Sequence, residues 1–161
     1  MKRRRATFLW QNRGIATHII NVSNKATKAT TEIFGGGLHY NNDADAFRHC
    51  YGAALLTRDI GVEKANEFLD LHESAPTNPP LEKIMDDHNN DKGMAIAQEF
   101  PPYYDSWQDE QFKSMCVAAL HNGELIRNLD EARNKQIEEE NARPKWWSIW
   151  SWWSSWSWSR R

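Results

Sequence analysis

Three histidines and their polar neighbours are the residues of this chain whose types and spacing could do chemistry. The stretch DADAFRHCYG, residues 43–52, sets Asp45, Arg48 and His49 into a segment that otherwise reads as a core helix. LHE carries His72 and Glu73, and MDDHNN carries His88 and Asn89. At about 100° per residue, the segment from Asp43 has one stripe of Phe47, Tyr51, Ala54 and Leu55. The opposite stripe holds Asp45, His49, Gly52, Ala53 and Leu56. A helix apolar on both sides is sandwiched between neighbours, so Asp45 and His49, spaced i to i+4, face the interior together and Gly52 lets a neighbour come close.

The next two helical patterns each bring one more histidine to a packing face. His72 shares the stripe of Val62, Ala65 and Leu69, with Glu73 at its edge. His88 shares the stripe of Leu81, Ile84, Met85, Ala95 and Ile96, with Asn89 beside it and Lys92 as a blemish. A fourth pattern, Phe112, Met115, Cys116 and Ala119, leaves His121 on the outer side as a surface residue. One histidine on an apolar face is most often a satisfied core residue. Three on consecutive helices, two beside an acid, point to a shared site.

Two chemistries suit such a site. His49, His72 and His88 are a ligand set for a divalent metal such as zinc, with a coordination position left for activated water and with Asp45 or Glu73 orienting a ligand or acting as base. Without a metal, His49 and His72 are the general acid and base and Arg48 stabilises an anionic transition state. Spacing does not separate the two. The HE pair is not the HExxH motif of zinc proteases, because no histidine follows at the required distance. By helical angle Arg48 points away from the Asp45 stripe, which makes it the member with least geometric support.

The elements that must position these residues are helices. The first starts at Asp43 as N-cap and runs to about residue 58, with Gly61 beyond it. The second covers residues 62–73 and stops at APTNPP, the third runs from 81 to about 100 between two proline pairs, and the fourth covers 108–121 before Asn122-Gly123. ELIRNL then reads as a short strand or an extended ending. The fold class is mainly α: a small domain of about four packed helices with a flexible N-terminal arm and a C-terminal Trp-rich tail. The expected divisions are a basic arm with a Gly linker over 1–37, the helical domain over 38–130, a solvated polar helix over 131–143 and a Trp/Ser-rich tail over 144–161.

Bulk properties set limits. A chain of 161 residues, 40% hydrophobic and 26% charged, is one ordinary domain, and a net charge of −2 provides no global field for nucleic acid, so none is expected. Cys50 and Cys116 form no framework; both fall in apolar helical patterns that suit buried thiols, and the sequence leaves a disulfide between them open. The start, MKRRRATFLWQNRG, has the basic cluster of a signal peptide but no apolar run of signal length, and it meets the twin-arginine pattern only approximately. No stretch reaches the roughly 18–20 apolar residues of a membrane span. The expected location is cytoplasmic or peripheral to a membrane, with export by a specialised route compatible.

The blocks DADAFRHCYGAALLT, DLHE, MDDHNNDKG and ALHNGELIRNL, taken in order, resemble a bacterial domain family of unknown function. Its members carry a D-x-F-R-H helix, an H-E helix end and an M-D-x-H-N-N-x-x-G segment. They occur in secreted, wall-associated and polymorphic-toxin-like proteins. The resemblance covers about residues 40–129. It implies that Asp45, Arg48, His49, His72, Glu73, Asp86, His88, Asn89, Asn90 and Gly93 are the family's polar and glycine positions, and it implies a toxin, effector or envelope-acting setting without naming a substrate.

The tail, WWSIWSWWSSWSWSRR, is a low-complexity segment with tryptophans from Trp146 to Trp158, bracketed by Arg143, Lys145, Arg160 and Arg161. Indole favours the membrane interface and the cations favour anionic lipid, so a membrane surface is one expected partner; a disordered extension is the equal alternative, and stacking on single-stranded nucleic acid a weaker one. Two function classes remain at this point: a small hydrolase of a phosphoester, peptide or envelope substrate, metal-assisted or not, and a non-enzymatic binding or membrane-associated module in which the His/Asp network is structural.

Overall fold

The opposed apolar stripes of residues 43–60 dictate the architecture of the chain. In a computed structural model, which describes residues 7, 8, 10, 12–37, 39–74, 78–101 and 107–143, six helices are bounded in the order α1 (Arg13–Phe34), α2 (Asp43–Ile60), α3 (Val62–Glu73), α4 (Pro80–Gln98), α5 (Trp107–His121) and α6 (Leu129–Ala142), with no strand among the described residues. Helix α2 is the axis: α1, α3, α4 and α5 all pack against it. Phe47, Cys50, Tyr51, Leu55 and Leu56 are buried around its circumference, as a stripe on each side requires.

The caps differ slightly from expectation. Asn42, not Asp43, is the N-cap of α2, and its side chain accepts from the Asp45 N–H at 3.0 Å. Gly61, at φ 82°, ends the helix by donating its N–H to the Thr57 carbonyl. The crossing of α2 and α4 is backbone against backbone, because a Cβ on Gly93 would lie 2.0 Å from the Cys50 carbonyl oxygen. Cys50 and Cys116 are free, buried and face each other across α2 and α5 with Sγ atoms 2.9 Å apart.

The reading of residues 1–37 as a loose arm is corrected. Residues 13–34 form α1, which buries Val22, Ala26, Ala29 and Thr30 against α2. Its stripe is built from small side chains among Thr, Asn and Lys, so it carries little hydrophobic signal, yet small residues allow close approach. Lys25 anchors it further by donating to Asp109 Oδ2 at 2.6 Å, while the other oxygen of Asp109 takes Arg58, whose guanidinium is 2% exposed. Three helices are thereby tied through one carboxylate.

Residues 124–128 form neither helix nor strand, with Leu125 and Ile126 buried. Helix α6 is polar as expected, docking on α4 through Ala132. No described helix is long and apolar enough to cross a membrane. The tail at 144–161 lies outside the described residues.

Candidate functional site

Asp45 and His49 face the interior one helical turn apart on α2, as their spacing dictates. The Asp45 carboxylate is 3% exposed; its Oδ2 accepts the Asn41 N–H at 2.7 Å and its Oδ1 accepts from Arg48. His49 Nε2 lies 3.6 Å from Asp45 Oδ1 and 3.4 Å from Asp86 Oδ1, which α4 presents from the other side. From the end of α3, Glu73 Oε1 sits 3.9 Å from His49 Nδ1. Glu73 is held on both oxygens: Oε1 accepts from His72 Nδ1 at 2.8 Å, and Oε2 accepts from Asn78 Nδ2 at 3.0 Å.

Burial and mutual charge set the protonation of this cluster. Burial, then the neighbouring Glu73 and Asp45 carboxylates, push the Asp86 carboxyl up to about 8, and a hydrogen bond toward Glu73 adds to the rise. Burial also works against ionised Glu73, but the His72 hydrogen bond, the two imidazoles and the Asp86 hydrogen bond leave it below the usual carboxylate range. The His49 imidazole is held below its ordinary value by burial, against the opposing pull of Glu73 and Asp45. A neutral imidazole, an ionised Glu73 and a proton-bearing Asp86 thus share one corner.

That corner has the donor set of a hard or borderline cation site. Oxygen or nitrogen atoms of Asp45, His49 and Asp86 lie within 4.8 Å of one another. Two zinc bonds of about 2.1 Å at the tetrahedral angle hold their donor atoms roughly 3.4 Å apart. The separations of 3.6 and 3.4 Å about His49 Nε2 are close to that edge length. Asp86 Oδ1 is buried and has no hydrogen-bond partner among the described residues.

A family model for a domain of unknown function, DUF6973, matches residues 6–124 of this chain. The chain belongs to the DUF6973 family. The match begins before α1 and so takes in the segment that composition alone separated as an arm. A curated protein, cytochrome P450 71A24 of Arabidopsis thaliana, is 26% identical over 110 residues, which cover 63% of this chain and 21% of that protein. The chain therefore spans about a fifth of the length of that relative. No solved structure matches.

Within this DUF6973 domain the three-histidine set does not assemble. His88 Nε2 pairs with the Glu124 carbonyl oxygen at 2.9 Å and its Nδ1 with Lys135 Nζ, so both ring nitrogens are engaged, one by the segment before α6 and one by α6. Its place beside His49 is taken by Asp86, two residues earlier on α4. Asn89 also lies outside the cluster: its amide donates to the Ile126 carbonyl and accepts from the Ile126 N–H, both at 2.9 Å, pinning the segment that follows α5. His72 and Glu73 exchange roles, since Glu73 is buried and His72, 52% exposed, stands at the rim beside Phe68. Arg48 belongs to the cluster after all, because a long side chain at i+3 folds back onto Asp45. Asp86 and Asn90 were not singled out by helical phase; the family resemblance was the one sequence signal that included them.

Proposed function

We propose that this DUF6973 protein is a small metal-assisted hydrolase whose centre is Asp45, His49 and Asp86. The observation that carries the reading is Asp86 Oδ1, buried, without a hydrogen-bond partner among the described residues, and 3.4 Å from a neutral imidazole nitrogen that a carboxylate faces on the other side. A divalent ion held there would supply a water ionisable near neutral pH and a positive charge for the developing oxyanion. Glu73 orients the His72 ring at the rim through Nδ1, where the imidazole is placed to take a proton from water and return it to the leaving group. Arg48 supplies a cationic contact for an anionic part of the substrate.

One observation favours a second, metal-free reading. The Arg48 guanidinium bonds Asp45 Oδ1 and lies 3.4 Å from His49 Nε2, so it stands in the same corner as the ion would. In that case Asp86 is the general acid and the His72–Glu73 pair the base. The toxin-like or envelope-acting setting, and recruitment to a membrane by the tryptophans from Trp146 to Trp158, rest on the sequence reading and are part of the proposal.

Elemental analysis of the purified full chain, with hydrolysis of p-nitrophenyl phosphodiester and p-nitroanilide substrates before and after chelation, tests the reading. Stoichiometric metal and activity lost to chelator and to His49→Ala are expected. Activity that survives chelation selects the Arg48 reading, and a metal-free protein that hydrolyses nothing refutes both.

A further inference from the structure

Asn90 follows Asn89 on α4, yet it has none of its neighbour's partners. It is 3% exposed, and neither Oδ1 nor Nδ2 has a hydrogen-bond partner among the described residues. A buried donor or acceptor left unpaired costs about 1–3 kcal/mol. Folded proteins rarely carry that cost without a reason, and a ligand that completes the pair is one. Asn90 lines a cavity of about 310 Å³ shared with Arg48, His49, His72 and Glu73. That volume is at the lower end of the roughly 300–1,000 Å³ of small-ligand sites. The cavity's apolar lining is made by Ile19, Val22, Leu56, Phe68 and Leu69 from α1, α2 and α3.

We propose that Asn90 is a substrate-binding residue for a secondary amide with an apolar acyl group and a neighbouring carboxyl, the pattern of an N-acyl amino acid or an apolar peptide end. In an extended chain the N–H and C=O of one residue point the same way, which is how paired strands exchange two hydrogen bonds at one residue. A carboxamide matches that spacing: Asn90 Oδ1 accepts the amide N–H and Nδ2–H donates to the carboxyl oxygen on the same α-carbon. Arg48 takes the carboxylate charge, and the acyl group lies on the wall of Phe68 and Leu69. This deepens the hydrolase reading and rests on it for the reaction: water adds its oxygen to the acyl carbon, the C–N bond breaks, and the amine leaves with the proton.

The test is calorimetric binding to the full chain in EDTA, which separates recognition from turnover, using N-octanoylglycine and its ester isostere octanoyloxyacetate, which lacks only the N–H. The amide is expected to bind at least about 10-fold more tightly, one buried hydrogen bond's worth. Asn90→Ala is expected to bring the two within about twofold. Since the Asn90 side chain has no hydrogen bond to lose among the described residues, Asn90→Ala and Asn90→Leu keep the melting midpoint within about 5 °C of wild type. Equal binding of amide and ester, tighter binding of dihexanoylphosphatidylcholine than of the amide, an amide preference unchanged by Asn90→Ala, or a larger loss of stability in both variants overturns the assignment. Amide selectivity in a protein that neither binds metal nor hydrolyses leaves this site standing and sinks the hydrolase; the reverse result sinks this site alone.

Discussion

Replacing Asp86 by asparagine should stabilise the metal-free protein at neutral and alkaline pH, a gain paired with a loss of function. The carboxyl titrates at about 8 in the folded chain against an ordinary 3.8. Because the folded value is the higher, Asp86 stabilises fully only below about pH 4; its contribution falls as pH rises toward 8 and is flat above that. Each pH unit in that window costs about 1.4 kcal/mol, so at pH 7 the wild type gives up roughly 3–5 kcal/mol relative to a side chain that needs no proton. Asparagine supplies the same donor toward Glu73 that protonated Asp86 does, with no charge to bury. For a chain of this size such a difference raises the melting midpoint by roughly 10 °C. Thermal unfolding in chelator at pH 8 and at pH 4.5 measures it: the variant melts well above wild type at the first and close to it at the second. Zinc narrows the gap, stabilising wild type by about 2.7 kcal/mol at a hundredfold excess over the dissociation constant and the variant hardly at all. A variant less stable than wild type by the same margin at both pH values would show that Asp86 is ionised and paired, and the electrostatic account of the site would fall.

Three other substitutions follow from the same geometry. Gly93→Ala forces α2 and α4 apart, because its Cβ would meet the Cys50 carbonyl oxygen at 2.0 Å; a loss of at least about 2–3 kcal/mol in denaturant unfolding is expected. Asn89→Ala strands the Ile126 N–H and C=O in the interior and costs roughly 2–4 kcal/mol by the same measurement, with turnover at permissive temperature retained if Asn89 is purely structural. Glu73→Gln removes the carboxylate that raises both Asp86 and His49, so both titrations move down in pH, as carboxyl and imidazole NMR signals would report.

Helix α2 was legible because Phe47, Tyr51 and Leu55 mark one stripe and Ala53 and Leu56 the other, on which Asp45 and His49 sit. Helix α4 was not read in the right phase. Its buried face includes Met85, Asp86, Asn89, Asn90, Gly93 and Ile96, and a pattern judged by hydropathy passes over Asp86 and Asn90 and rotates toward Leu81, Ile84 and His88. Polar residues on a buried face are what a site requires and what periodicity discounts. The exchange of His72 and Glu73 has a different origin: they are adjacent at a helix end, about 100° apart, and only the packing of α3 on α2 decides which turns inward. Helix α1 was missed because a stripe of Ala26, Ala29 and Thr30 gains its stability from close contact rather than from side-chain size.

Isothermal titration of zinc into the chelator-stripped full chain near pH 7.5 tests the central claim most directly. One site per chain is predicted, abolished by His49→Ala and by Asp86→Ala and kept in His88→Ala, whose ring faces α6. No zinc binding by the wild type, or a site that His88→Ala removes and Asp86→Ala leaves intact, would contradict a metal centre built from Asp45, His49 and Asp86.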